Sequence, residues 1–431
     1  MIPAATYRIQ FRNGMTFDRV VELVPYFKDL GISHLYASPI FTATSGSTHG
    51  YDVTDPNEID PAIGGREGFD RMAAALKQAG MGLILDIVPN HMSTSLENRW
   101  WRDVIEHGSQ SRYAHYFDID WSRPLTLPFL GDTFEAELEK GAITLQRDSV
   151  TEKASLVYYD AVYPLNPGTF SEDKSIAELH EAQSWRLMSW REAPKQLSWR
   201  RFFEITGLVG VRVEDDAVFD DTHRLILELV HAGIVDGLRI DHIDGLADPL
   251  GYLNRLREAT GPDCYITVEK ILAKGEQLPA DWPVSGTTGY EFIASLAEVL
   301  VDDNSLERLE KIHEETLGTT VDRHAELRDA KGLMTDRNFE GEFTTLLTIA
   351  TELAQHNGAE IPVEEIRHAL RELLIAFPVY RTYGTAEGLT PSDVVLLNRV
   401  VASVNTSEPA LSLIVHILTG DLPERDRHAA T

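Results

Sequence analysis

Through residues 1–91 the chain alternates short apolar runs with stretches of helical spacing. Thr6-Tyr7-Arg8-Ile9-Gln10-Phe11 alternates as a strand does. Val20, Leu23, Val24, Phe27 and Leu30 then recur at helical spacing, and Gly31 ends that helix. Ser33 to Ala37 reads as a second strand. Phe69, Met72, Ala73 and Leu76 mark a second helix, closed by Gly80. Met81 to Val88 is a third strand, apolar almost throughout, as a strand covered on both faces should be. The rhythm resumes with a helix through Leu225, Ile226, Leu229 and Val230. Strand four follows at Gly237–Asp241, then a helix near Leu253 to Ala259, and strand five at Tyr265–Glu269. Pro283-Val284-Ser285 is a candidate sixth. Strands that alternate with helices predict a parallel α/β sheet.

About 145 residues between strands three and four break this rhythm, far more than an ordinary loop. They hold Trp100, Trp101, Trp121, Trp185, Trp190 and Trp199. The expected organisation is therefore barrel strands one to three in 1–91 and an inserted domain with a helical arm in 92–220. Strands four to six fall in 221–295, and a helical subdomain in 296–431. In the last of these, Leu306, Leu309 and Ile312, then Ile366, Leu370, Leu373 and Leu374, keep helical spacing.

Three strand ends carry polar clusters: Asp86-Ile87-Val88-Pro89-Asn90-His91, Arg239-Ile240-Asp241-His242-Ile243-Asp244, and Val268-Glu269-Lys270. Barrel enzymes place their active sites at the C-terminal ends of several parallel strands. Arg239 and Asp241 share a face because strand side chains repeat every two residues, so Arg239 should hold the Asp241 carboxylate ionised. Glu269 comes from the neighbouring strand, and the two carboxylates can converge. Such a pair suits retaining glycoside chemistry, in which one attacks the anomeric carbon while the other serves the leaving oxygen. For Asp244 a structural pairing and a role in the site weigh equally. Asp86 reads first as structural. Tyr51, in His49-Gly50-Tyr51-Asp52 after strand two, lies at the same mouth, where a flat ring can stack on a pyranose. Trp100 and Trp101 read as packing.

Charge narrows the partners. Lys and Arg number 39 against 68 Asp and Glu, a net charge of −29. A surface this acidic argues against nucleic acid or an anionic membrane and fits a neutral sugar. No apolar run approaches the ~20 residues of a membrane-spanning helix. The single cysteine, Cys264, excludes an intrachain disulfide and reads as buried and inert. With an N-terminus unlike a signal peptide, the expected location is the cytoplasm. His49, Asp52, Asp55, Asp86, Asn90 and His91 offer possible metal ligands but no recognised ligand spacing, and no glycine-rich phosphate loop occurs. Neither metal nor cofactor is expected.

Asp86-x-x-x-Asn90-His91, Gly237-x-Arg239-x-Asp241 and Glu269, in that order, resemble the first three signature regions of the α-amylase superfamily. More particular stretches resemble its maltooligosyltrehalose synthase family. These include 5–11, 34–41, 47–52, Arg200-Arg201-Phe202-Phe203, 286–290 and 377–383. The resemblance spans residues 3 to about 383. It implies a (β/α)8 TIM-type barrel, with strands one to six in this chain, a large insertion after strand three and helices after strand six. It implies Asp241 as nucleophile, Glu269 as acid/base and Arg239 as the residue that orients Asp241. His91 and Tyr51 would hold the sugar, with His49, Asp52, Asp86, Asn90 and His242 lining the same site. The implied reaction converts the reducing-end α-1,4 linkage of a maltooligosaccharide to α,α-1,1 through a covalent glycosyl-enzyme.

The family's third carboxylate lies in a His-Asp motif after strand seven, and no such motif follows residue 269. The expectation is therefore a partner, a C-terminal fragment of the same enzyme that completes the barrel. Two other functions share the residues: an α-glucan hydrolase or 4-α-glucanotransferase, and a non-catalytic glycan-binding fragment.

Overall fold

The computed structural model describes residues 2–148, 151–385 and 388–423. The chain forms two compact units. One comprises Met1–Lys270 with Leu278–Thr288, the other Ile271–Gln277 with Gly289–Thr431.

The first unit is organised by a six-stranded sheet: β1 (Thr6–Ile9), β2 (His34–Ala37), β3 (Gly82–Ile87), β4 (Gly237–Ile240), β5 (Tyr265–Val268) and β6 (Gly286–Thr287). Neighbours in space follow one another in the chain, and every pair is parallel. A doubly wound sheet would reverse its strand order at a switch point. An order that never reverses is that of a singly wound barrel, here six strands with β1 and β6 as edges among the described residues.

The crossovers are α1 (Phe17–Asp29), α2 (Gly65–Gln78), α3 (Asp216–His231) and α4 (Pro249–Thr260). Each begins at a polar or turn residue. Thr16 caps α1 by accepting from the Arg19 N–H, Asp215 caps α3, and Asp248 caps α4 ahead of Pro249 at its first position. Of the stripe predicted for α1, Val20, Val24 and Phe27 are buried, with Phe17, while Leu23 is half-buried and Leu30, just past the helix end, is exposed. Phe17 meets Phe11 at 4.8 Å and the α2 residue Phe69 at 5.6 Å between ring centres, joining the two helices to the end of β1.

The sixth strand lies three residues beyond the predicted Pro283-Val284-Ser285. Pro283 has no N–H to give a ladder, and the parallel pairing falls instead on Gly286 with Thr267 and Thr287 with Val268.

The long segment after β3 builds three small sheets of its own. The one nearest the barrel mouth pairs 91–93 with 205–210, and that strand with Arg201–Phe202. Trp101 and Trp185 are wholly buried in this segment, and Trp101 packs edge-on against Phe117 and Trp199. Cys264 is buried, and burial pushes its thiol up.

Asn98 ties the helix Arg99–His107 to this sheet. Its side chain accepts from the N–H groups of Trp100 and Trp101 and donates to the Ser93 carbonyl at 2.9 Å. Asn98→Ala should therefore lower unfolding stability by about 1–2 kcal/mol, read as a fall in the urea midpoint at constant slope. An unchanged midpoint would show that the cap contributes nothing there.

The second unit is helical. Its core gathers Phe343, Leu347, Ile366, Leu370, Leu373, Leu397 and Ile414 from the helices Glu340–His356, Val363–Ala376, Pro391–Ser403 and Glu408–Thr419. Leu306, Leu309 and Ile312 keep their helical spacing but are exposed. The helix Tyr290–Leu300 buries no residue, although Phe292, Ile293, Leu296, Val299 and Leu300 make it strongly apolar. No helix among the described residues is long and apolar enough to cross a membrane.

Candidate active site

Arg239 is the centre of the site. It lies on β4, in register with Asp86 of β3 and Thr267 of β5. Its Nη1 donates to Asp86 Oδ1 at 2.8 Å and to Asp241 Oδ1 at 2.6 Å, and its Nη2 reaches Glu269 Oε1 at 3.0 Å. One guanidinium thus holds three carboxylates from three adjacent strands. Asp86 is completely buried and Asp241 nearly so, while Glu269 is the one partly open to solvent.

The other oxygen of Asp86 accepts two phenols, Tyr51 at 2.7 Å and Tyr36 at 3.0 Å. Arg8 of β1 donates to Tyr51 Oη at 3.0 Å and lies over the Tyr36 ring. Tyr36 and Arg8 were not among the site residues expected. For Arg8 the signal was present, a charged side chain within a barrel strand, whereas Tyr36 reads as core from the sequence. Burial and Asp86 push both phenols above their usual range, so they donate and do not ionise.

Burial pushes Asp241 up to about 7, and Asp86 and Glu269 add to the rise while Arg239 opposes it. Burial raises Asp86 too. The expectation that Arg239 holds Asp241 ionised thus needs correcting. That reasoning counted one arginine against one aspartate. Here one arginine faces three carboxylates out of water, and the cluster keeps a proton near neutrality. Burial works against the Arg239 cation, but its carboxylates hold it charged.

Asn90 and His91 follow β3. His91 is almost fully buried, with its ring 4.4 Å from that of Phe202, and Nε2 has no protein partner. Burial, with His242 and Arg200 beside it, lowers its pKa to about 3, so the ring is neutral. A buried unsatisfied imidazole nitrogen is a place for a ligand hydroxyl. Asn90 Oδ1 accepts from Arg200 at 2.8 Å, and Arg200 also pairs with Asp118 at 3.0 Å. These contacts bring Arg200 and Phe202 from the insertion to the barrel mouth.

His242 adopts a left-handed backbone, φ 46°. Its N–H points at Glu269 Oε2, 2.9 Å away, and its ring lies 5.0 Å from both Phe202 and Phe203. Gly245 closes the turn. A Cβ there would meet the His242 ring at 2.2 Å and Asn90 Oδ1 at 2.7 Å. Asp244 pairs with Lys270 at 3.0 Å, the structural option left open for it.

His49 and Asp52 flank Tyr51 in its loop. They lie 3.7 Å from each other, and His49 Nδ1 accepts the Tyr51 N–H at 3.0 Å, so they shape the loop that presents Tyr51. Trp100 stacks on Tyr113 away from this cluster. Among the described residues, no three His, Cys, Asp or Glu groups are placed to hold a metal ion.

Two carboxylates tied to the two terminal nitrogens of one guanidinium lie close together. The retaining arrangement needs a pair about 5–5.5 Å apart, so that one oxygen attacks while the other handles the leaving group's proton.

Comparison with known proteins follows this geometry. The family described as alpha amylase, catalytic domain, matches residues 14–270. A Mycobacterium tuberculosis protein named as a maltooligosyl trehalose synthase is 45% identical over 309 residues, which are 69% of this chain and 38% of that protein. The intracellular maltogenic amylase of Bacillus subtilis is 40% identical over 113 residues, 26% of this chain and 18% of that one. The solved maltooligosyltrehalose synthase of Arthrobacter ramosus superposes with a TM-score of 0.87 at 37% identity, covering 100% of this chain and 55% of that one. The chain therefore spans little more than half the length of that structure, and less of the curated relative.

Proposed function

Because the chain belongs to the alpha-amylase family, and its fold is the family's barrel in part, we propose that its carboxylate cluster carries out an intramolecular transglucosylation. The reducing-end α-1,4 linkage of a maltooligosaccharide becomes α,α-1,1. Asp241 Oδ attacks C1 of the penultimate glucosyl unit while Glu269 gives its proton to the departing O4 of the terminal glucose. The glucose turns without leaving. Its anomeric hydroxyl then attacks the same C1, Glu269 takes that proton back and Asp241 departs. Two inversions give net retention, and no water is consumed. Arg239 orients Asp241, and Asp86 with its two tyrosines fixes Arg239. The neutral His91, with Asn90 beside it, faces the sugar's hydroxyls, Tyr51 offers it a ring, and His242 braces the acid from behind. His49 and Asp52 hold the loop that carries Tyr51.

The observation that carries this reading is the single guanidinium shared by Asp86, Asp241 and Glu269. The choice of reaction rests on the relatives' names. We infer in addition that a C-terminal partner completes the barrel. The edge position of β1 among the described residues and the exposed apolar helix Tyr290–Leu300 support this, because folded proteins cover such edges and faces. A cytoplasmic location fits the single cysteine.

The test is product analysis. The chain, co-expressed with the C-terminal half of the Arthrobacter ramosus synthase, should consume the reducing ends of maltopentaose without lowering the number of sugar molecules. A rise in reducing ends would make it a hydrolase. Redistribution of chain lengths at constant reducing ends would make it a 4-α-glucanotransferase. Binding without turnover would leave a glycan-binding fragment.

A further inference from the structure

We propose that Lys270 and Asp244 form a positioning device for the acid/base, an inference that rests on Glu269 in that role. Glu269 and Lys270 are consecutive at the end of β5, and both tie this end to the turn after β4. Glu269 Oε2 accepts the His242 N–H at 2.9 Å, and Lys270 Nζ meets Asp244 Oδ2 at 3.0 Å. The Glu269 N–H adds a third tie, to the Ile240 carbonyl at 2.8 Å.

The ion pair is buried to an unusual degree: Lys270 is wholly inaccessible and the Asp244 side chain is 8% exposed. A buried pair is weak evidence for stability, because desolvation offsets much of the attraction. It does fix geometry, since a charge this deep cannot swing out to water without a large desolvation change. What it fixes is the short turn Ile243–Gly245, and so the residue before it, His242. His242, whose N–H meets Glu269, enters this turn with φ at 46°, a left-handed conformation that costs a non-glycine residue free energy. A strained residue relaxes unless its surroundings hold it. Ile243, completely buried, holds one side of the turn, and the Lys270–Asp244 pair holds the other.

The pair therefore acts on the reaction through one hydrogen bond. Loosening it leaves the Glu269 carboxyl tied only through Oε1 to Arg239, so the oxygen that serves the departing O4 is no longer aimed, while the nucleophile and the sugar-holding groups stay in place. The defect should appear in steps that need the acid and not in those that do not. Fluoride leaves a glycosyl carbon without protonation, so a maltosyl fluoride isolates the difference.

Lys270→Met, Asp244→Asn and Glu269→Gln should each cut kcat on maltopentaose, by at least tenfold for the first two, with KM changed less than threefold. First-turnover fluoride release from α-maltosyl fluoride should fall less than threefold in the two positioning variants, and less than tenfold in Glu269→Gln. Lys270→Arg should restore part of the loss. Equal losses on both substrates in the Lys270 and Asp244 variants, beside a Glu269→Gln that spares the fluoride, would overturn the positioning role and leave the acid standing. A Glu269→Gln that loses the fluoride reaction as well would overturn the acid assignment, and this inference with it. Amide exchange gives a second reading that needs no turnover. In Lys270→Met the His242 amide should exchange at least tenfold faster while amides within β4 keep their rates. An unchanged His242 amide, or a uniform acceleration of all of them, overturns the proposal.

Discussion

Asp241→Asn is expected to remove activity and to stabilise the fold in the same stroke. Asn keeps the shape and one acceptor for Arg239 but cannot form a glycosyl ester, and losing a covalent nucleophile costs on the order of 10⁴-fold or more in kcat. The stability gain follows from the raised pKa. In the folded chain Asp241 titrates at about 7 against an ordinary value of 3.8, so the folded state binds the proton more tightly than the unfolded state does. The contribution of this group to stability is fully present below the ordinary value and is lost as pH rises through 7. Asn carries no such loss. Wild type and variant should therefore draw apart between pH 5 and pH 8, with the variant melting a few degrees higher at pH 8. Thermal unfolding at the two pH values, beside the maltopentaose assay, checks both halves. A variant less stable than wild type at pH 8 would mean that burial does not strain this carboxylate. Activity within tenfold of wild type would mean that the nucleophile is another group. The wild-type rate has a matching dependence and should fall as pH drops below about 7, where Asp241 takes up its proton.

Arg239→Met is the second large effect, and its sign is opposite. The substitution withdraws the one cation among Asp86, Asp241 and Glu269. Breaking a buried ion pair by removing one partner costs about 3–5 kcal/mol, because an uncompensated charge stays behind. The carboxylates can escape that penalty by taking up protons, so the deficit should be largest at pH 8 and smaller at pH 5. Urea midpoints at the two pH values measure it. Arg239→Lys should recover only part of the loss, since an ammonium is a point charge and cannot present two nitrogens in a plane. A deficit that is the same at both pH values would point to lost packing and away from stranded charge.

How much of this was legible in the chain depended on the range of the interaction. Strand β1 was readable from its alternation and β2 to β5 as short, mostly apolar runs bounded by helical spacing, and a polar residue at the end of such a run stands out. Asp86, Arg239, Asp241 and Glu269 were found in that way. Tyr36 was not, because a tyrosine within an apolar strand reads as core until its hydroxyl is seen on Asp86. The pairing of 91–93 with 205–210 was out of reach as well. It joins segments more than 100 residues apart, and nothing local selects the partner. Nor does any residue pattern announce a left-handed histidine. The protonation of Asp241 was misjudged because a count of neighbours along one strand misses the carboxylates on the strands beside it.

Gly245 sets a limit of another kind. Most positions of a protein wander over generations, trading one side chain for another of similar bulk. This one has no such freedom, because even a methyl would press on the imidazole of His242 and the carboxamide of Asn90. The first is hemmed by two phenylalanine rings and the second is held by Arg200, so neither neighbour can drift to make room. Any lineage that keeps this turn inherits its glycine with it, and change at the mouth of this barrel has to come from other residues.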